Sequence, residues 1–340
     1  MSSNENTIFP QLPAVVGPYL FQCKIGAGGF GSVYKTLNQR YNVEFAAKVL
    51  PKKANVSSQA EIETLLQLVH PNILRLYDVF EYLDYYILIL ELCNGGSIND
   101  PIALGVPLSV DKFCTLSCQI IDALEYMHNR HIAHCDIKPN NLLINNGRVK
   151  IADFGLSTFT DVKGKMSKPK GVSFHYAPPE VLSGQSYNPL PADVWSLGIT
   201  LYKMATGSLP WKGKEKGEIK KEIINGFIDF EKIKDINLRK ILYKMLTPYP
   251  TMRATMKEVQ EMFGQYAHRK LASLPDTQMQ QQQKLKQLMH FNSAQPRKCP
   301  LTPKVKRPNC PLTFSSMLVG RTCISMKKPS VLIKTAIVNS

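Results

Sequence analysis

The stretch HCDIKPNN at residues 134–141, followed by DFG at residues 153–155, decides the fold of this 340-residue chain. Its polar side chains are two carboxylates, one ammonium group and one amide: Asp136, Asp153, Lys138 and Asn141. Carboxylate and amide oxygens are ligands that hard divalent cations prefer, and a carboxylate can also orient or accept a proton. The segment therefore predicts a site in which one loop and one strand end combine a metal-binding pair with a base.

A glycine-rich stretch, IGAGGFGSV at residues 25–33, precedes this segment and predicts a strand, a turn and a returning strand. Glycines let backbone N–H groups approach an anion closely, although such a triplet also occurs in ordinary turns. Lys48 lies inside the apolar run at residues 45–50, which predicts a buried strand. A buried ammonium group needs a compensating charge, so Lys48 favours the anion-binding interpretation of the glycines.

These motifs resemble, position by position, those of eukaryotic protein kinases of the serine/threonine type, most of all the calcium/calmodulin-dependent and AMP-activated-like group. The resemblance runs from about Tyr19 to Met262 and includes PPE at residues 178–180, DVWSLG at residues 193–198 and Arg253. It implies an α+β fold with two lobes, a small antiparallel β-sheet lobe with one helix and a larger, mostly helical lobe. The implied divisions are an N-terminal extension (1–18), a kinase domain (19–265, with lobes 19–92 and 93–265) and a tail (266–340).

The resemblance also implies a site for ATP and Mg²⁺, because phosphoryl transfer requires metal ions on the nucleotide phosphates and a base near the acceptor. Asp136 would accept or orient the hydroxyl proton of a protein substrate, and Lys138 would neutralise charge on the phosphoryl group. Asn141 and Asp153 would bind Mg²⁺. The implied ATP-binding residues are Ile25, Gly26, Ala27, Gly28, Gly29, Phe30, Gly31, Ser32, Val33, Ala46, Lys48, Glu61, Glu91, Cys93 and Leu143.

Glu61 is the predicted partner of Lys48, because it precedes the HPNI turn at residues 70–73 as the corresponding glutamate does in the family. The alternative is a role in capping a helix, since Ser58 followed by Glu61 fits a capping box. Glu63 is excluded, because two residues along a helix correspond to a rotation of about 200°.

The apolar run at residues 86–90 predicts the last strand of the small lobe, which passes into a hinge. By resemblance, the carbonyl of Glu91 and the amide of Cys93 would hydrogen-bond the purine edge, next to Leu90. Four apolar side chains would sandwich the ring, with ordinary core packing as the alternative: Ile25, Val33, Ala46 and Leu143.

Two departures from the family pattern concern regulation and substrate choice. Cys135 replaces the arginine that usually binds a phosphate on the activation loop, and the usual phosphosite falls on Pro169. We therefore expect activity without phosphorylation of this loop. Ser97 and Asn140 replace acids that bind basic substrates in arginine-directed relatives, so we expect no preference for arginine upstream of the acceptor. A pseudokinase, which binds partners without turnover, is the alternative function, although such proteins usually lack an equivalent of Lys48, Asp136 or Asp153.

Composition bounds the remaining functions. The 44% hydrophobic content suffices for a packed core, no apolar stretch is long enough to span a membrane, and the eight cysteines lack metal-ligand spacing. These features predict a cytoplasmic chain, or a nuclear one, and the resemblance implies protein substrates and no specific nucleic acid.

The tail carries most of the positive charge. Residues 271–340 contain eleven lysines and arginines against Asp276 alone, which gives +10 of the total of +16. Glutamines and prolines disfavour a packed core and predict mostly disorder. Three alternatives remain for this tail: a solvated charged segment, a nuclear-import signal at residues 297–307, and a short helix near Leu285 that binds a regulatory protein or inhibits the enzyme.

Overall fold

The computed structural model describes residues 8–9, 11–28, 31–160, 171, 173–184 and 186–273. These residues form a small lobe built on a β-sheet and a larger lobe built on helices, which meet at the segment after residue 90. The predicted two-lobed α+β fold is confirmed.

The small lobe contains a six-stranded antiparallel sheet with the strand order β1-β2-β3-β4-β6-β5. The strands are β1 (Ala14–Val16), β2 (Tyr19–Gly28), β3 (Gly31–Asn38), β4 (Val43–Pro51), β5 (Leu76–Tyr82) and β6 (Tyr85–Leu90). One helix, α1 (Asn55–Gln67), accompanies them.

Alternation along β4 places Lys48 on the face that looks toward the large lobe. Ala47 and Val49 are buried in an aromatic cluster on the outer face, whereas Ala46 and Leu50 join the core that continues into the large lobe. Successive side chains of a strand point to opposite faces, so Lys48 shares the inner face with Ala46 and Leu50. The apolar run predicts the strand, and the alternation of side chains along that strand directs Lys48 to the inner face.

The outer face of the sheet is covered by residues that the sequence assigned to the N-terminal extension at 1–18. The ring of Phe9 is buried, with its centroid 4.6 Å from that of Phe21 and 5.2 Å from that of Tyr34. β1 pairs with β2 in the same sheet. The small lobe therefore begins before residue 19, because aromatic side chains on the outer face of β2 and β3 need apolar cover.

The large lobe is organised around a buried central helix, α5 (Pro189–Thr206). The other helices are α2 (Asn99–Ile102), α3 (Val110–His128), α4 (Pro179–Leu182), α6 (Lys216–Ile224), α7 (Ile236–Met245) and α8 (Met256–Ala272). Two small antiparallel strand pairs complete the lobe: β7 (Ile132–Ala133) with β10 (Thr158–Phe159), and the hairpin of β8 (Leu142–Asn145) with β9 (Arg148–Ile151). The HCDIKPNN segment connects β7 to β8, and Asp153 follows β9, so both carboxylates reach the same edge.

The last helix extends past the predicted boundary at residue 265. A capping box between Thr255 and Glu258 starts α8, and its buried face continues through Tyr266 and Ala267. Lys270 forms an ion pair with Asp235 at 2.5 Å. These contacts explain why the helix reaches Ala272. The rest of the predicted tail, residues 274–340, lies outside the described residues, so its disorder stays a prediction.

Among the helices that the structure describes, none combines the length and apolar character needed to cross a membrane.

Candidate active site

The cleft between the lobes holds a cavity of about 380 Å³. Thirteen of the residues that the sequence assigned to the site line it: Ile25, Gly26, Ala27, Gly31, Val33, Ala46, Lys48, Glu61, Glu91, Cys93, Asn141, Leu143 and Asp153. Ser32 belongs to β3 but is not a lining residue, Gly28 is the last residue of β2, and Gly29 and Phe30 lie outside the described residues. The motifs, far apart in sequence, thus converge on one cavity.

Gly31 shows why the turn between β2 and β3 needs glycine. Its φ is +154°, and a Cβ atom there would lie 2.1 Å from the carbonyl oxygen of Val49. No side chain fits between these two strands without moving backbone. The close approach keeps the start of β3 against β4.

Lys48 is held by two carboxylates at once. Its Nζ donates to Oε1 of Glu61 at 2.7 Å and to Oδ1 of Asp153 at 2.8 Å. Glu61 is only 2% exposed, whereas Glu63 is exposed. The helix-cap alternative does not hold: α1 begins at Asn55, so Ser58 and Glu61 both lie inside it.

The three charges perturb one another strongly. Burial by itself would lower the pKa of Lys48, but the carboxylates of Glu61 and Asp153 outweigh burial and raise that pKa above its usual value. Burial raises the pKa of Glu61, although Lys48 opposes the shift. Asp153 is less enclosed, and Lys48 lowers the pKa of its carboxyl group despite partial burial. At neutral pH this cluster keeps the Lys48 cation against a carboxylate in the wall of the cavity.

Asp136 lies at the centre of a compact hydrogen-bonded group. Oδ2 accepts from Lys138 Nζ at 2.8 Å and from Asn141 Nδ2 at 2.9 Å, and Oδ1 accepts from Ser173 Oγ at 2.6 Å. Lys138 Nζ also donates to Ser173 Oγ at 2.7 Å. The carboxylate is 6% exposed and thus nearly enclosed by these donors. It is therefore oriented toward a hydroxyl group, with an ammonium group beside it.

Asp193 of α5 anchors the loop that carries Asp136 by accepting hydrogen bonds from its backbone. Oδ2 of Asp193 accepts from the backbone N–H of His134 at 2.7 Å, and Oδ1 accepts from that of Cys135 at 2.8 Å. Asp193 is fully buried, so these bonds satisfy a charge that could not remain unpaired there. Cys135 has a φ of +65°, a strained value for a residue with a side chain. The buried carboxylate supplies the bonds that keep the loop in this conformation.

Asn141 and Asp153 fit the chemistry of a Mg²⁺ site. Nδ2 of Asn141 donates to the carbonyl oxygen and to Oδ2 of Asp136, which leaves the oxygen of the amide to serve as a ligand. Lys48 engages only one oxygen of Asp153 in a hydrogen bond. Mg²⁺ takes few protein ligands and relies on water and phosphate oxygens for the rest. Asn141 and Asp153 are two ligands, and the described part of the chain contains no group of three or more His, Cys, Asp or Glu side chains placed to hold a metal, here or at another place.

The hinge is fastened by a side chain whose role the sequence did not indicate. Glu91 was selected for its backbone carbonyl, but its carboxylate forms an ion pair with Lys150 at 2.8 Å and accepts from Nδ2 of Asn145 at 2.8 Å. Both partners belong to the β8–β9 hairpin of the large lobe. Burial, and next the charge of Glu91, raise the pKa of the Cys93 thiol to about 11. Cys93 is thus a neutral apolar contact of the cavity wall.

The sequence motifs did not single out three further residues of the cavity wall: Leu74, Leu92 and Ala152. Each lies next to a recognised motif, since Leu74 follows the HPNI turn, Leu92 separates Glu91 from Cys93, and Ala152 precedes Asp153. Adjacency to the motifs was therefore the signal that could have found them.

Comparison with known proteins shows which family and which proteins the chain is similar to. Residues 19–263 match the model of the protein kinase domain. The chain is 32% identical over 257 residues to CBL-interacting protein kinase 1 of Oryza sativa subsp. japonica, which covers 73% of the chain and 56% of that protein. It is 32% identical over 257 residues to serine/threonine-protein kinase SIK1 of Mus musculus (74% and 33%) and 35% identical over 253 residues to the SNF1-like protein kinase ssp2 of Schizosaccharomyces pombe (72% and 43%). The match thus spans between a third and about half of the length of these relatives.

Proposed function

This chain belongs to the protein kinase family, and we propose on that basis that it transfers the terminal phosphoryl group of ATP to serine and threonine hydroxyls of proteins. The observation that carries the proposal is the contact between Asp136 and a hydroxyl group. Ser173 Oγ lies 2.6 Å from Oδ1 of Asp136 and 2.7 Å from Nζ of Lys138. A base that already binds one hydroxyl, with a cation beside that hydroxyl, has the geometry to orient an acceptor and to stabilise negative charge as the phosphoryl group arrives.

The remaining residues bind the nucleotide. Lys48, steered by Glu61, neutralises charge on the phosphates, while the apolar walls from Val33, Ala46 and Leu143 enclose the purine. When bound, Mg²⁺ supplies charge neutralisation on the phosphate oxygens, and Asn141 and Asp153 would hold it. The restrained orientation of these groups, rather than covalent chemistry by the protein, accounts for the acceleration.

The purified chain is expected to transfer phosphate from ATP to a generic protein acceptor in the presence of Mg²⁺, and to lose this activity when EDTA removes the metal. The measurement follows radiolabelled γ-phosphate into phosphoserine and phosphothreonine. Restoration by added Mg²⁺ controls for damage by the chelator. If nucleotide binds but no acceptor is labelled under any of these conditions, the chain acts as a pseudokinase, and the proposal fails.

We also propose that this activity needs no phosphate on the activation loop. The thiol of Cys135 hydrogen-bonds Tyr187, and burial together with this neighbour raises the pKa of the Tyr187 phenol. A thiol–phenol contact therefore occupies the position where the family usually has an arginine that needs a phosphate partner. Two hydroxyls near the loop are also poor phosphate acceptors, because Ser157 bonds to Phe154 O and Thr160 to His131 O, and both residues are buried.

Enzyme produced in bacteria and treated with phosphatase is expected to retain its turnover with a peptide substrate, because no loop phosphate is needed to place Asp136. The comparison is kcat before and after treatment, with mass spectrometry to confirm that phosphate has been removed. Ser167→Ala is the matched control, because it removes a loop hydroxyl that could be phosphorylated. Ser167 lies outside the described residues. Loss of activity that returns on rephosphorylation of Ser167 or Thr160 would contradict the proposal.

The cytoplasmic or nuclear location, the regulatory partner of the tail and the lack of a specific nucleic-acid partner stay predictions from the sequence.

A further inference from the structure

A cationic surface lies beside the hydroxyl site. His175 follows Ser173 by two residues, and its ring centroid is 5.2 Å from that of Phe174. Lys216, at the start of α6, holds its Nζ 5.1 Å from the centre of the Phe174 ring. Lys203 of α5 acts on the same histidine, since burial and then the charges of Lys203 and Lys216 lower the pKa of His175. We call Lys203 and Lys216 the cationic cluster, and His175, with its lowered pKa, is a neutral neighbour of it.

The carboxylates near this cluster are engaged elsewhere. Asp100 accepts from the backbone N–H and the hydroxyl of Ser97, at 2.7 and 2.8 Å. Glu218 accepts from the backbone N–H groups of Lys214 and Glu215 at the start of α6. In the described portion of the chain, no carboxylate lies within ion-pair distance of Lys203 or Lys216. The cluster therefore presents uncompensated positive charge.

Part of this surface is shielded from solvent and fixed by hydrogen bonds. Nζ of Lys203 donates to Oδ1 of Asn99 at 3.0 Å, and burial lowers the pKa of this lysine. The indole N–H of Trp211 donates to the backbone oxygen of His175 at 3.2 Å, which fixes the position of that residue. A partly desolvated ammonium group gains more from an anion than a fully hydrated one does. Phe174 and Trp211 supply apolar surface around it.

We propose that the cationic cluster is a substrate-recognition site, which binds an anionic side chain of the protein substrate (aspartate, glutamate or a phosphorylated residue) close to the acceptor. This inference rests on the proposed function. Residues 173–175 connect the cluster to Asp136, so a peptide whose hydroxyl reaches Asp136 passes next to these cations. The polar, uncharged Ser97 and Asn140 add no acid to that path, and Lys203 bonds to Asn99, two residues from Ser97.

The test uses a set of peptides with a single acceptor serine. Each peptide differs from the others at one of the four positions on either side of that serine, where it carries alanine, glutamate or phosphoserine. Lys203→Gln keeps a side chain that can donate to Asn99 but removes the charge, and Lys216→Gln removes the other. Lys212→Gln is the matched control, because Lys212 is an exposed lysine nearby that is 3.6 Å from Asp229. None of the three residues belongs to the catalytic machinery described above.

At one or more positions, glutamate and phosphoserine are expected to raise kcat/KM relative to alanine, mainly through a lower KM, and added salt should reduce the gain. Each of Lys203→Gln and Lys216→Gln should reduce this gain by about 1.5- to 5-fold, as expected for a partly exposed charge pair. Lys212→Gln and the alanine peptide should be unaffected. Lys203→Glu should move the preference toward arginine-containing peptides. A gain with phosphoserine alone would indicate a site that requires prior phosphorylation. A gain with glutamate as well would indicate a site that accepts acidic residues.

The two proposals fail separately. An unchanged preference in Lys203→Gln and Lys216→Gln, with normal turnover of the alanine peptide, overturns the recognition site and leaves the kinase proposal intact. If no peptide is phosphorylated, the proposed function fails, and fluorescence anisotropy of a labelled glutamate peptide then decides the recognition site on its own. Equal binding by the wild-type chain and by Lys203→Gln would overturn it.

Discussion

Asp136→Asn is expected to lower the turnover of the enzyme by ~10²-fold or more while the protein stays folded. The substitution can preserve the local hydrogen bonds: the amide oxygen can still accept from Lys138 and Asn141, and the amide nitrogen can donate to Oγ of Ser173. What it removes is a carboxylate that accepts a proton and carries negative charge. The measurement is kcat with ATP and a peptide, alongside thermal unfolding and the binding of a fluorescent nucleotide.

Lys48→Met provides an independent comparison, since it removes the proposed phosphate-binding cation and keeps the proposed base. It also leaves Glu61 buried without its partner. Because burial already raises the pKa of Glu61, that carboxyl group is expected to take up a proton, which limits the loss of stability. A comparable loss of turnover with weaker nucleotide binding should follow. Ordinary turnover in either folded variant would contradict the assigned roles.

The proposed reaction restricts which residue types can occupy these positions, so the sequence could predict where such groups stand, and their roles stay predictions. Lys48 lies inside β4, which the apolar pattern also predicts, Asp136 and Asn141 lie in the segment between β7 and β8, and Asp153 follows β9, so motif and local structure agree. The pairing of Lys48 with Glu61 followed from the same match.

Contacts between distant side chains could not be predicted in the same way. The ion pair of Glu91 with Lys150 and that of Lys48 with Asp153 depend on how two lobes face each other, which no local pattern encodes. The packing of Phe9 on the sheet was overlooked for a different reason. The N-terminal segment carried no family motif, yet its apolar side chains were a visible signal of burial.

Arg253→Ala is expected to lower the free energy of unfolding by about 3–5 kcal/mol, the range typical of breaking one partner of a buried ion pair. The guanidinium group is completely buried. It donates to both oxygens of Glu180, at 2.7 and 3.1 Å, and to the carbonyl oxygens of Pro191, Thr247 and Pro248, at 2.8, 3.0 and 3.3 Å. Alanine leaves the largely buried carboxylate of Glu180 and three carbonyl groups without these donors, and each unmade bond adds to the loss.

The matched control is Arg239→Ala, because Arg239 is exposed and donates only to the carbonyl oxygen of Ile233. Its loss should be about 1 kcal/mol or less. Urea titration gives both values, provided that the slope of the unfolding free energy against urea is the same in all proteins. The double variant Glu180→Leu with Arg253→Leu should lose less than the sum of its single variants, because it leaves no unpaired charge.

This ion pair also connects stability to the reaction. Glu180 belongs to α4, which follows the segment that brings Ser173 to Asp136, and Arg253 holds α4 against the end of α7 and the start of α5. Arg253→Ala should therefore lower kcat even at temperatures where the protein remains folded, through a less restrained Ser173, whereas nucleotide binding in the cleft should change little. An Arg253→Ala protein as stable as Arg239→Ala, with full turnover, would show that the buried pair anchors neither the fold nor the substrate segment.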